Sequence, residues 1–414
     1  MERISEEAPG GRRSWLFRRF VLCVALPVTL NVFVYYGFTT NYTTGTFTRQ
    51  AFLDQYSHGI YRYRVVGRAA VLLTYDLIHR HFPSHGAYRL TTFLSTDSLD
   101  MYNSLFVVNT LFFCLTAWMF YATLSLPAFR LSERDRAQWS LTTMLLIAIS
   151  EFVVVPYDLL SYFLLVFGAN RMLREQSRLN TVVLACAVAL ATFTRETVLV
   201  TLALYATLWA LRKETDVRLS TAGLFQLVGT FVFSLCALRA AYGVHDVMHG
   251  HSIFRASGWP GPSSLERGLF GGAGLAFFAS LLYILMPGAG PSGARAARLL
   301  LLYSLPYTLL VLLFGVQFEI RLWIPIIIGV ILCMLLDFRS TASGADRDAD
   351  AAAAGGNPGG RVAQHFRRLF RSEPAIANCI PTAERGSGRP GMPACAILEG
   401  VGNGGAAARA FRST

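Results

Sequence analysis

The chain alternates between long apolar runs and short charged links, with one much longer polar interval near its start. The apolar runs extend over about Phe20 to Phe38, Ser104 to Leu126, Ser140 to Val155, Leu159 to Met172, Thr181 to Phe193, Thr197 to Leu211, Leu219 to Tyr242, Gly268 to Met286, Leu299 to Gly315 and Leu322 to Asp337. A helix of about 20 apolar residues crosses a bilayer, whereas runs of about 10 to 14 are more often buried or re-entrant. Only helices and closed barrels satisfy their backbone polar groups in lipid. The pattern therefore predicts an all-α fold, a polytopic transmembrane helical bundle of about eight to ten spans. The fourth to sixth runs are short and form hairpins with charged tips. A hairpin that fails to cross changes the count of spans but not which side the later segments face. Within the polar interval, Thr39 to Asn103, apolar residues recur at near-helical spacing through Val65, Ala69, Leu72, Leu73 and Leu77. That spacing predicts an amphipathic helix lying in the membrane interface.

Charge placement gives an orientation. Arg12, Arg13, Arg18 and Arg19 precede the first run, and the positive-inside rule puts that flank in the cytoplasm. Counting runs from there, the Arg-rich links at Arg130 to Arg136, Arg171 to Arg178 and Arg212 to Arg218 also fall inside, as does the C-terminus. The long interval, Asp158, Arg195, Glu196, the link from Gly243 to Arg267, Glu319 and Arg321 fall outside. The domain plan is a cytoplasmic segment 1–19, a transmembrane domain 20–338 containing the outer loop 39–103, and a cytoplasmic tail 339–414. The tail is rich in Ala, Gly, Pro and Arg with little apolar pattern, and is expected to be disordered.

Composition agrees with this class. Of 414 residues, 53% are hydrophobic and 15% charged, whereas soluble chains carry about 25% charged residues. The net charge of +12 sits mostly in the links, so it reports topology and does not call for nucleic acid. Seven cysteines form no CxxC, which argues against a disulfide framework or a zinc site. No small-residue cleavage site follows the first run, which is expected to be retained. There is no P-loop, GxSxG elbow or GxGxxG after a strand, so nucleotide chemistry has no visible apparatus.

The candidate chemistry gathers on the outer side. Asp54 lies in the long loop, where a carboxylate is either a base for an attacking hydroxyl or a solvated loop acid. Arg62, Arg64 and Arg68 lie among tyrosines beside the amphipathic helix; they either bind phosphate by paired hydrogen bonds or anchor the helix. Asp158, Arg195, Glu196, Glu319 and Arg321 stand at the outer ends of apolar runs, and Glu151 and Arg239 lie within the outer halves of theirs. Charges so placed usually face a protein interior or a watery cavity. Each separately is equally well a structural ion pair; together they suggest a cavity open to the outer leaflet. His245, His249 and His251 are weak metal candidates, because their spacing matches no standard zinc pattern.

The long first outer loop with its acid and interfacial helix, the tips Pro156-Tyr157-Asp158 and Thr194-Arg195-Glu196-Thr197, and Glu319-Ile320-Arg321 before the last run carry a resemblance. Over about residues 15 to 338 the chain resembles the GT-C superfamily of membrane glycosyltransferases. The resemblance implies sugar transfer from a polyprenyl-phosphate-linked sugar to a glycan, lipid or protein acceptor at the extracytoplasmic face of a bacterial inner or plasma membrane. It implies Asp54 as the base, with Arg62, Arg64 and Arg68 together with Arg195 or Arg321 holding the lipid phosphate, and Asp158, Glu196 and Glu319 lining the substrate site. It requires no certain cofactor beyond an optional divalent metal, and no nucleic acid. The alternatives are a transporter or flippase for an anionic lipid or solute, and a noncatalytic membrane scaffold.

Overall fold

A computed structural model of the chain describes residues 9–37, 48–57, 59–82, 99–151, 155–174, 177–215, 217–243, 264–286, 290–314 and 320–338. All of them belong to the unit Met1–Leu369. The tail 339–414, Glu319, and His245, His249 and His251 lie outside the described residues. The described residues form helices and turns, with no strand among them. The helices are α1 (Pro9–Phe20), α2 (Leu26–Gly37), α3 (Arg49–Gln55), α4 (Val65–His81), α5 (Leu99–Leu124), α6 (Glu133–Ser150), α7 (Asp158–Met172), α8 (Arg178–Thr192), α9 (Val198–Ala210), α10 (Thr221–Tyr242), α11 (Ser264–Leu285), α12 (Pro291–Tyr303), α13 (Leu305–Phe314) and α14 (Ile324–Leu335).

Local chemistry sets several boundaries. Thr48, Ser132, Ser177 and Ser220 each precede a helix and accept a hydrogen bond from the backbone N–H three residues on. Such a cap satisfies a donor that the first turn leaves open. The cap at Ser132, with Glu133 and Asp135 in the first turn, starts α6 within what the pattern reads as a charged link. Pro291, a residue suited to the first helical position, likewise starts α12 inside the link before the ninth run. The ninth run is consequently two helices, α12 and α13, bent by 54° at Ser304. α1 and α2 are joined by a π-helical stretch, Val21–Ala25, in which the Leu26 N–H reaches back to the Val21 carbonyl.

Among the described residues, three helices are long and apolar enough to cross a membrane: Trp15–Tyr36, Leu99–Leu124 and Thr221–Tyr242. The bent pair makes a fourth if counted as one span. Their outward faces are apolar, as at Phe225 and Phe233 of α10, which are 71% and 76% exposed. α14 is the opposite case. Every one of its residues is buried, against α12, α9, α6 and α7. α7 is nearly as enclosed, packed on α5, α8 and α9. A second apolar cluster joins Tyr35 of α2, Phe52 and Tyr56 of the α3 region, Val71 of α4, and Met101, Tyr102 and Leu105 of α5. It fixes α3 and α4 onto the start of α5.

The expected helix from Val65 is present as α4, but its inward face differs from the apolar stripe. Gly67 and Val71 are buried, while Ala69, Leu73 and Leu77 point outward. Glycine adds almost nothing to an apolar pattern, yet Gly67 is where the backbones meet. A Cβ built there would lie 2.8 Å from the Pro156 carbonyl oxygen.

Candidate functional site

Four segments bring charged side chains to one buried junction. Pro156 cannot continue a helix from α6, and the turn it makes leaves Asp158 as the first residue of α7. There the positive end of the helix dipole favours a carboxylate. Arg195 and Glu196 occupy the tight turn between α8 and α9, closed by the Arg195 N–H to the Ala191 carbonyl at 2.9 Å. Arg321 lies in the short 3-10 turn Ile320–Leu322 before α14. Tyr162 of α7 and Tyr307 of α13 hold that turn, donating to the Arg321 and Leu322 carbonyls at 2.9 and 2.8 Å. Arg64 comes from the long loop, immediately before α4.

The Asp158 carboxylate is fully buried and ion-paired twice, to Arg195 Nη1 and to Arg321 Nη1, the latter at 3.2 Å. The Tyr157 ring has two cations near it, 4.0 Å from the Arg64 guanidinium carbon and 5.2 Å from that of Arg195. Its π electrons attract both and offset their mutual repulsion. Arg64 Nη2 reaches Glu196 Oε2 at 3.3 Å. Glu196 is the one member whose side chain is substantially exposed, at 42%. Glu151, at the end of α6, is a third acid beside this group; it is 1% exposed, and Arg321 and Arg195 are the cations acting on it.

These environments shift titration in understandable directions. Burial opposes ionisation of Glu196, but Arg64 and Arg195 outweigh it and hold its carboxyl below the ordinary value. Burial and then the neighbouring Arg64 lower Arg195, which nonetheless stays cationic as guanidinium does in proteins. Burial pushes the Tyr157 phenol up.

The long loop is tied onto the junction at several points. The Val66 N–H meets the Phe193 carbonyl at 3.4 Å, and Gly67 seats against Pro156. Tyr63 donates to the Gly243 carbonyl at 2.9 Å and accepts from Arg239 Nη1 at 2.8 Å, fastening the end of α10. Asn109 of α5 donates to the Val155 carbonyl at 3.0 Å and to the Tyr35 hydroxyl, bracing the turn before Asp158.

Of the residues singled out from sequence, Arg64, Asp158, Arg195, Glu196 and Arg321 come together. Arg62 and Arg68 do not join Arg64. Arg62 lies over the Tyr242 ring at 5.8 Å, and Arg68 donates to the Tyr56 carbonyl at 3.2 Å. Asp54 is on the exposed side of α3, accepting from Gln50 Nε2 at 2.9 Å, while Phe52 and Tyr56 of the same segment face inward. Sequence reasoning gave no role to Tyr157, Tyr162, Tyr307 or Asn109. Their signal is a polar or aromatic residue beside a charged tip or inside an apolar helix. Among the described residues no group of three or more His, Cys, Asp or Glu is placed to hold a metal. A cavity of about 480 Å³ lined by Arg171, Arg174, Ser177 and Asn180 lies at the opposite end of α7 from Asp158. No protein-family model, no curated protein and no solved structure matches this chain.

Proposed function

We propose that the chain is a multi-pass membrane glycosyltransferase that moves a sugar from a polyprenyl-phosphate donor to a hydroxyl acceptor at the extracytoplasmic face. One observation supports this above others. Arg64, Arg195 and Arg321, drawn from three separate segments, meet around Tyr157 and Asp158. Three guanidiniums converge there, the group that binds phosphate by paired hydrogen bonds. In the proposed reaction the acceptor oxygen bonds to the anomeric carbon as the bond from that carbon to the phosphate oxygen breaks. Arginines at the junction neutralise the leaving lipid phosphate. Asp54, exposed on α3 of the loop that also carries Arg64, takes the acceptor's proton. The long helices Trp15–Tyr36, Leu99–Leu124 and Thr221–Tyr242 and the bent pair α12–α13 provide membrane crossings, and the shorter apolar helices add an even number, which leaves both termini cytoplasmic and the hairpin tips outside.

The test is incubation of the purified protein with a panel of polyprenyl-phosphate sugars and acceptors, following release of free lipid phosphate. Wild type should release it with at least one donor. Asp54→Asn should abolish release while the protein stays folded and membrane-inserted; full activity in that variant removes Asp54 from the mechanism.

The bend between α12 and α13 favours one second reading, a transporter or flippase for an anionic lipid, since transporters build sites at interrupted helices. It predicts movement of the intact lipid across the bilayer with no release of lipid phosphate.

A further inference from the structure

Among the described residues, Glu151 is the buried acid whose two carboxyl oxygens both have no hydrogen-bond partner. The other buried acid of the junction, Asp158, is held by two arginines. Asp135 is held by the Ser132 hydroxyl at its helix start. Buried carboxyl oxygens ordinarily find donors, so an exception beside a charged cluster points to a partner from outside the chain. Glu151 follows the last residue of α6, its N–H bonded to the Ala148 carbonyl at 3.1 Å. Arg321 and Arg195 act on it from the two neighbouring turns, and Tyr35 of α2 and Tyr162 of α7 share its field.

We propose that Glu151 receives a hydroxyl of the ligand whose phosphate the adjacent arginines hold, which makes that ligand a sugar phosphate carried on a lipid. This rests on the glycosyl-transfer reading of the same junction. The chemistry selects the class. A carboxyl group repels the phosphate itself, so it serves a neutral donor placed close to an anion. A sugar ester-linked to phosphate presents hydroxyl donors within a few bonds of the charged oxygens. A bare lipid phosphate presents no alcohol hydroxyl. Glu151 is thus the group that tells the loaded lipid from the spent one, and its loss costs the hydrogen bond only when the sugar is present.

The experiment uses the full chain in lipid nanodiscs and two kinds of probe, methyl farnesyl phosphate and a panel of farnesyl-phosphoryl hexoses and pentoses. All are phosphodiesters of one negative charge, so a change of charge in the site acts on both kinds alike, and the ratio of the two affinities is the readout. Wild type should bind at least one sugar-bearing probe about tenfold more tightly than methyl farnesyl phosphate, the scale of one hydrogen bond to a charged group. Glu151→Leu, which has no acceptor, should bring the ratio close to one. An unchanged ratio in Glu151→Leu overturns the proposal and leaves Glu151 as a counter-charge for Arg321. Should Glu151→Leu fail to fold, Glu151→Asp keeps the charge and withdraws the oxygens by one methylene; it must show the same loss, and a wild-type ratio there overturns the proposal equally. Wild type that binds both probes alike also overturns it while leaving a phosphate site in place. Wild type that binds neither probe refutes the glycosyl-transfer reading itself.

Discussion

Replacing Asp158 with Asn separates a buried ion-paired junction from a hydrated one. The substitution preserves shape, so it opens no cavity, and its whole effect is electrostatic. Asp158 has no exposed side-chain surface, and its partners Arg195 and Arg321 are only 3% and 6% exposed. Removing one member of a buried pair costs about 3–5 kcal/mol, because the remaining charge stays out of water without compensation. Here two cations lose the same anion. Glu151 remains as a nearby acid and offsets part of the loss, while the lost carboxylate at the start of α7 adds about 0.3–1 kcal/mol from the helix dipole. The expected destabilisation is about 3–4 kcal/mol. Glu214→Gln is the control. Its partner Arg295 is closer, at 2.6 Å, but the two side chains are 28% and 61% exposed. An exposed pair contributes about 0–1 kcal/mol whatever its length. The assay is equilibrium unfolding in mixed micelles by titration with a denaturing detergent, followed by tryptophan fluorescence. If Asp158→Asn loses no more stability than Glu214→Gln, water reaches the junction and the argument from burial is wrong.

Two further outcomes follow from the same geometry. Gly67→Ala places a methyl group 2.8 Å from the Pro156 carbonyl, a rigid backbone atom, so α4 must back away from the turn; a loss of about 1–3 kcal/mol is expected in the same unfolding assay, and a neutral result refutes the close approach. Glu196 is held below its ordinary carboxyl value of 4.5, so it contributes stability that is present above that value and lost as pH falls through the lower folded value. Because its side chain is partly exposed, the effect is modest; Glu196→Gln should lower stability slightly at neutral pH and flatten the acid limb of the profile below about pH 5, converging with wild type at the acid end, whereas an acid limb identical to wild type removes the Arg64 pairing.

Much of this was legible in the chain. The apolar runs place most helices, because an oily stretch between charged links has few other conformations open to it. The gathering of Asp158, Arg195 and Arg321 followed from their common position at the ends of runs. Other features were hidden for definable reasons. α14 is uniformly apolar, and such a run looks the same whether lipid or protein surrounds it. The start of α6 depended on the Ser132 cap, a single polar residue among charged ones. The orientation of α4 followed Gly67, whose importance lies in what its side chain lacks. Arg64 reads like Arg62 and Arg68, yet only Arg64 sits where the backbone turns from the 3-10 segment into the helix, and only it reaches Glu196.

The π-helical stretch Val21–Ala25 carries a consequence for how the first helix meets α5. One additional residue per turn rotates everything beyond it by about 100° relative to an unbroken α-helix. Before the stretch, Arg19 stacks on the Tyr121 ring at 5.1 Å near one end of α5; beyond it, Asn31 donates to Thr110 at 2.7 Å, and Tyr35 and Tyr36 reach Leu105 and Asn103 at the other. Two patches that a regular screw would set on diverging sides are thereby brought onto a common seam. The helix behaves as two keys cut on one shaft, each turned to fit its own lock.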